Sequence, residues 1–585
     1  MNSRPSMGAA DGQRDFSFSE HARRALSFLS IEVRGLHSAV YVLASFALLS
    51  SFLALLRDRL LASTFGAGRE LDLYYAAFRI PDLIFVCLGA LVSVYVLIPE
   101  LARRDSSGQK DYIDTVFVGF SILAVGVGII VATFTPRLLG MLFPQFAESG
   151  LLPTLVSLTR IMLLQPILLG FSNILAAITQ TRYRYTLYAA SPLFYNFGII
   201  MGVLVFYPLW GISGLAWGIV LGAAMHAGIQ IPSIVEDGFF RSIPRLTLPR
   251  DMLRTISFSV PRALALSMNQ IAFLGLTAFA ATLATGSIAV FMFAYNLNSV
   301  PLAIIGASYS VAAFPTLALA LSNGRKDEFI AHIATAACHV LFWSLPAAAL
   351  IIVLRAHVVR TVLGSGAFDW TDTRLTAASL ALLSVSLVCQ GLMLLLIRGY
   401  YAAGRTFVPL FVSSCVAFGT IVLTFFFIHA FENPAVLLFA QSLLRLEGVP
   451  GSNMLSLALA YTTATFVGTI ILTFNFERRF SGFFRQIKDA LIQSLVAAFS
   501  GGVAAYSMLA ILGPLTFSST LLSVFTRGFT AGAFGLIVAG LAYALLQNRE
   551  YFETVAEVRG RLWRGSVEAE SGMTLVASAE ESAEL

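Results

Sequence analysis

Fourteen stretches of about twenty or more predominantly apolar residues follow one another along the chain, separated by short polar turns. A chain built this way cannot close a water-soluble core, because nearly every element is apolar on all faces. It must satisfy each backbone N–H and C=O inside its own helices and present the side chains to lipid or to one another. Composition agrees: 57% of the 585 residues are hydrophobic and 12% charged, with a mean hydropathy of +0.80, where a soluble domain carries about 25% charge. The expectation is an all-α polytopic membrane protein with spans near 38–64, 72–101, 112–135, 152–179, 186–207, 212–235, 252–282, 286–320, 328–354, 373–401, 406–431, 453–476, 487–512 and 519–546.

Orientation follows from the basic residues. With the N-terminus in the cytoplasm, most of the 38 Lys and Arg fall in cytoplasmic loops and tails, notably Arg103, Arg104 and Lys110, then Arg241, Arg245 and Arg250, then Arg478, Arg479, Arg485 and Lys488. The positive-inside rule then places both termini inside. The net charge of +6 is accounted for by this topology, and no nucleic-acid partner is implied. The four cysteines, Cys87, Cys338, Cys389 and Cys415, lie in expected spans without CxxC spacing, which points to packing rather than to a disulfide framework or a metal site. No P-loop, HExxH or Ser-His-Asp set is apparent, so neither an enzyme nor a cofactor is expected.

The polar residues inside the spans are the informative ones. Between Ser50 and Pro99, Arg57, Asp58, Arg59, Asp72, Arg79 and Asp82 sit in an otherwise apolar hairpin. Each ionisable group at membrane depth costs roughly 2.5–3.5 kcal/mol on insertion scales, so they must face one another or water. Asp72, Tyr75, Arg79 and Asp82 recur at three, four and three residues and share one helical face, with Pro81 interrupting the backbone ladder beside them. That face reads as a cavity wall with Arg57, Asp58, Asp72 and Arg79 as substrate contacts. Two plainer uses compete with it: Arg59 is near enough to the Gly66-Ala67-Gly68 turn to snorkel, and Arg79 could pair with Asp72 or Asp82 and simply hold the kinked helix. Arg160 either anchors an outer helix end or bonds a neighbouring helix. Pro192 and Asn196 interrupt one apolar run a turn apart, GISGLAWGIVLGAAMHAG from Gly211 has the small-residue spacing of close helix packing, and Thr462, Thr463 and Thr465 form a hydroxyl cluster.

The chain also repeats. GRELDLYYAAFRIPDL from Gly68 aligns with GSIAVFMFAYNLNSVPL from Gly286, and IPELARRDSSGQKDYI from Ile98 with FPTLALALSNGRKDEFI from Phe314. Six spans separate the copies, so they insert in the same sense and imply two six-helix lobes in a parallel pseudo-twofold repeat. The expected division is a cytoplasmic leader (1–36), an N-lobe (37–245), a C-lobe (246–480), two further spans (481–547) and a disordered cytoplasmic tail (548–585). In the second copy Val290 and Leu297 stand where the first has Asp72 and Arg79, so Arg262 and Asn296 are what the C-lobe offers to a cavity.

RDRLLASTFGAG with Asp72, the AAFRIPDL that follows, RIM at Arg160, SPLFYNFGIIMG at Ser191, GISGLAWGIVLGA at Gly211 and NGRKDEF at Asn323 together resemble the MurJ (MviN) family of lipid II flippases. That family lies in the MOP exporter superfamily, beside MATE drug exporters and O-antigen-type flippases. The resemblance implies a monomeric transporter of the bacterial inner membrane that handles a polyprenyl-linked anionic glycolipid, the peptidoglycan precursor lipid II. Cavity arginines would hold the pyrophosphate, and the last two spans would form a groove for the polyprenyl tail. Arg57-Asp58 and Asp72 match family positions, whereas Ser51, Phe85 and Asn296 stand where the family carries arginines. No acidic counterpart to a coupling-ion site is present in the second lobe. Two further readings stay open: a diverged, non-transporting scaffold, and a MATE-like cation-coupled exporter, for which an acidic cavity would be expected.

Overall fold

A computed structural model describes residues 36–240, 243–247, 249–513, 515, 519–557 and 559–560, with side chains at some further positions inside helices outside the description. The leader and most of the tail expected from sequence lie outside the described residues. The described chain is helical throughout, and thirteen of its helices are long and apolar enough to cross a membrane. The first expected span, α1 (Leu36–Phe65), 30 residues long with Arg57, Asp58 and Arg59 in its second half, is not among the thirteen, so the expected count of fourteen is not reached.

The helices used below are α2 (Arg69–Leu91), α3 (Ser106–Leu142), α4 (Leu152–Met162), α5 (Leu164–Thr181), α6 (Tyr185–Met201), α7 (Ile212–Gly228), α8 (Pro249–Ala280), α9 (Ser287–Leu302), α10 (Lys326–Val362), α11 (Trp370–Ala402), α12 (Phe407–Phe431), α13 (Pro434–Leu444), α14 (Leu455–Arg479), α15 (Phe483–Leu512) and α16 (Leu521–Leu545). The fourth expected span is thus two helices, parted at Leu163 just before Pro166. Starts are set by short polar residues. Asp105 accepts from Gly108 N–H ahead of α3, and the Ser107 hydroxyl together with that N–H holds its exposed carboxyl below the usual range. Asp369 and Asp372 form a reciprocal capping box on α11, and Asn433 with Pro434 opens α13.

The chain divides into two compact units, Met1–Ile288 and Ala289–Leu585. The seventh expected span, α8, packs along α2: Arg79 lies 5.8 Å from the Phe273 ring and Cys87 Sγ 3.1 Å from Ser267 Oγ.

In the first unit the glycine pattern read from sequence is a helix crossing. A Cβ at Gly198 would stand 2.2 Å from Gly222 Cα, and one at Gly218 would stand 2.4 Å from Gly202 Cα, so α6 and α7 touch backbone to backbone. Lipid supplies no hydrophobic drive for helix association, and close van der Waals contact of this kind is what replaces it. A one-turn π-helix, Gly202–Phe206, continues α6. Arg160, exposed, donates to Ala132 O at 3.0 Å, so it ties α4 to α3 instead of only anchoring an end.

In the second unit Thr462 of the hydroxyl cluster reaches α11, its Oγ1 donating to Leu382 O at 2.9 Å, while Thr463 and Thr465 donate to carbonyls of their own helix at 2.8 Å. Thr469, outside that cluster, adds a second bond from α14 to α11, to Cys389 O at 3.1 Å. The last two spans, α15 and α16, cross at Gly501 and Gly535, where each Cβ would meet the other's carbonyl oxygen at 2.7–2.8 Å. Both pack on α10, and Tyr543 donates to Phe342 O at 2.8 Å. The first residues of the expected disordered tail are instead helical, 549–557. Asn548 caps that turn through Tyr551 N–H and holds Glu550, and Tyr551 stacks on Tyr543, which gives the segment a buried footing that its polar composition conceals.

Candidate functional site

In the first unit Arg57 and Asp58 form one charged group of the first hairpin and Arg79 and Asp82 another. Arg57 rises from α1 with Asp58 beside it. Its Nε and Nη2 donate to Asp58 Oδ1 at 2.9 and 2.8 Å, and its Nη1 donates to Asn196 Oδ1 on α6 at 3.0 Å. Asn196 is held in turn by Pro192 O, 3.1 Å from its Nδ2, with Ser50 Oγ at 3.5 Å. The Asp58 side chain is 5% exposed and that of Arg57 20%. A guanidinium carries five N–H groups, so among the described residues these three bonds leave two uncommitted.

In the sequence Asn196 is an interruption of an apolar run and not a candidate site residue. The signal that could have found it is its polarity in an apolar run, but only the fold brings α6 against α1 and reveals which cation it serves.

Arg79 belongs to the second group. Its side chain is buried, Nε donates to Tyr75 O at 3.1 Å, Nη2 lies 3.9 Å from Asp82 Oδ2, and the guanidinium stands over Phe273. These contacts lie on α2 and α8 and brace the helix at Pro81, where the ladder is short of an N–H. Gln165 of α5 donates to Tyr195 O–H at 3.2 Å. Beyond Tyr195, Ser172 Oγ meets His226 Nδ1 at 2.6 Å and receives Gln230 Nε2 at 2.7 Å, a buried polar knot joining α5 to α7 and the residues after it.

Asp72 stands apart from both. It sits in the first turn of α2, and its Oδ2 accepts the backbone N–H of Gly286 at 2.5 Å. Gly286 has φ +92°, and a Cβ there would lie 2.1 Å from Ala67 O. The glycine aligned by the repeat is thus required for a different reason: the turn before α9 seats directly on the turn before α2. Arg262 is on α8 with its side chain outside those described. Asn296, on α9, belongs to the second unit, where it is half-buried and gives its backbone oxygen to Ser299. Ser51 turns its hydroxyl back to Ala47 O at 2.9 Å. Among the described residues no group of His, Cys, Asp and Glu is arranged to hold a metal ion.

The family described as "Lipid II flippase MurJ" matches residues 61–526. The chain belongs to this family. Among its relatives, a probable lipid II flippase MurJ of Buchnera aphidicola subsp. Acyrthosiphon pisum is 27% identical over 378 residues, covering 62% of this chain and 72% of the relative. The lipid II flippase MurJ of Burkholderia cenocepacia is 24% identical over 405 residues, covering 66% and 77%. In fold, the chain is similar to lipid II flippase MurJ in an inward closed conformation, with a TM-score of 0.67 at 20% identity over 87% of this chain and all of that one. It is also similar to a multidrug resistance MATE family transporter of the MOP superfamily in its inward-facing conformation, with a TM-score of 0.59 at 17% identity over 76% of this chain. As a member of the MurJ family the chain is a multi-pass membrane transporter rather than an enzyme.

Proposed function

We propose that this protein moves a polyprenyl-pyrophosphate-linked sugar, with lipid II as the cargo, from the inner to the outer leaflet of the bacterial inner membrane. It does so as a monomer with both termini in the cytoplasm, two lobes (37–245 and 246–480) exposing the site to each side in turn, and 481–547 beside the lipid tail. Family membership supports the flippase class, and the inward-facing and outward-facing MATE structures of similar fold support alternating access.

The observation that carries the cargo reading is Arg57. A guanidinium is retained among apolar helices, partly exposed, oriented from behind by Asp58 and Asn196, with two N–H groups left over. That is the arrangement an anionic headgroup needs: a cation that is already positioned, and whose fork matches two phosphate oxygens. Asp58 takes the Nε/Nη2 side of the guanidinium and leaves one N–H on each terminal nitrogen. No covalent step is required, because the work is the sheltering of a charged headgroup from a low-dielectric core.

One observation favours the scaffold reading as a second. Ser51, Phe85 and Asn296 lack the charge expected at those positions, and Arg79 is engaged by Tyr75 O, Asp82 and the Phe273 ring. Leaflet exposure of labelled lipid II, measured in cells that depend on this chain and carry either the wild type or Arg57→Ala, separates the two. Loss of exposure in the variant, with the protein still inserted, supports transport through Arg57, and exposure that does not depend on the chain at all supports the scaffold.

A further inference from the structure

The second unit contains a group of arginines for which the transport reading has no use. Arg355 near the end of α10, Arg374 in the second turn of α11, and Arg445 immediately after α13 meet at one end of the helices. Arg355 donates to Ile352 O at 2.9 Å and to Leu444 O at 3.4 Å, Arg374 donates to Arg445 O at 2.6 Å, and Arg445 donates to Tyr506 O–H of α15 at 3.0 Å with its guanidinium 5.9 Å from that ring. Every one of these acceptors is neutral. Among the described residues none of the three arginines forms an ion pair with a carboxylate, and the charged side chain acting on Arg355 is another cation, Arg445. The acids closest in sequence to Arg374, Asp369 and Asp372, are turned to the backbone N–H groups that start α11.

The backbone is organised to keep this charge where it is. Arg445 has φ +59° and ψ +48°, the left-handed conformation that a helix end normally gives to glycine, although Gly448 is only three residues away. Arg355 and Arg374 each donate to a carbonyl of this turn, so two cations hold a third in a strained position. Strain maintained by its surroundings is a pointer to a use.

What lies beside the arginines says what that use is. Leu438, Phe439 and Leu443 of α13 are 60%, 68% and 67% exposed, on the same short helix whose end carries Arg445, and Tyr506 is itself exposed. An apolar surface that enters acyl chains, continuous with unpaired guanidinium groups and a tyrosine at headgroup depth, matches an anionic lipid and no soluble partner. On the orientation read from the basic residues, this end faces the outer leaflet.

We propose that Arg355, Arg445 and Tyr506 bind the phosphodiester of an anionic glycerophospholipid in the outer leaflet, with the exposed side chains of α13 in contact with its acyl chains. The lipid's phosphate supplies the negative charge that the protein withholds, Arg445 approaches it with its fork, and Tyr506 orients that fork from behind. The site is separate from Arg57, and its occupancy does not depend on which cargo is moved.

The full chain in nanodiscs of equal phosphatidylglycerol and phosphatidylcholine, released into mild detergent and weighed by native mass spectrometry, tests this. The wild type is expected to retain phosphatidylglycerol in preference to phosphatidylcholine, Arg445→Gln to lose that preference by about tenfold, and Arg445→Lys to keep part of it. Because Arg445 is exposed, its replacement leaves the fold intact, which a thermal melt confirms, and Arg137→Gln serves as an exposed-arginine control that leaves the lipid preference unchanged. Equal retention of the two lipids by the wild type, or undiminished preference in Arg445→Gln, overturns the proposal. So does displacement of phosphatidylglycerol by an equimolar polyprenyl pyrophosphate, which would assign the arginines to the cargo.

Discussion

Arg57→Ala removes three hydrogen bonds at once, and its two consequences can be separated. One falls on stability. Asp58, 5% exposed, loses the guanidinium that balances its charge, and Asn196 Oδ1 loses its donor. Breaking a buried ion pair from one side costs about 3–5 kcal/mol. Arg57 is itself 20% exposed, so solvent screens part of the loss and the expected value is about 2–3 kcal/mol. The other consequence falls on cargo. A charge-assisted hydrogen bond to phosphate is worth about 1.5–3 kcal/mol, or about a ten- to hundredfold loss of affinity.

Asp58→Asn in the Arg57→Ala background tells the two apart, because it removes the orphaned carboxylate while keeping its shape. Most of the lost stability should return, read as a thermal midpoint in detergent, whereas leaflet exposure of labelled lipid II should not. Arg57→Lys should restore transport in part, since an ammonium keeps the charge but not the fork. The reasoning is refuted if the double variant is stable and transports as well as the wild type, for then Arg57 is only the counterion of Asp58.

Other outcomes follow from the same geometry. Ser51→Arg restores a cation on the face of α1 that carries a hydroxyl bonded to Ala47 O, and should tighten binding of a polyprenyl pyrophosphate by about tenfold in a competition assay. Asp72→Asn weakens the acceptor for Gly286 N–H and should lower the thermal midpoint, at about 1.5–3 kcal/mol for a bond to a charged group, without changing carrier-lipid affinity. Gly198→Val drives a side chain into the Gly222 backbone, where no rotamer relieves the clash, and should abolish stable insertion as measured by protease resistance in membranes.

Much of this architecture follows from the linear sequence, because a bilayer leaves a chain so few choices. Apolar length fixes where helices cross, the glycine spacing around Gly211 announces a backbone-to-backbone contact, and a handful of ionisable residues among apolar ones marks the hairpin that matters. These are local or periodic properties, visible in any window of twenty residues. The family, too, was legible from short motifs spread from Arg57 to Asn323.

Tertiary structure decided which charged group does what. Arg57, Asp72 and Arg79 look alike on a helical wheel, yet one is held by Asn196 from 139 residues away with donors to spare, one clamps the Gly286 turn from 214 residues away, and one is absorbed by its own helix and Phe273. The same applies to Asn548, which turns the start of a polar tail into a helix, and to Arg445, whose partners come from α10, α11 and α15. Sequence shows that a polar group inside a membrane must be satisfied, since leaving it bare costs too much. Which partner satisfies it is settled only when distant helices meet, and that partner determines whether any hydrogen-bonding capacity remains for a ligand.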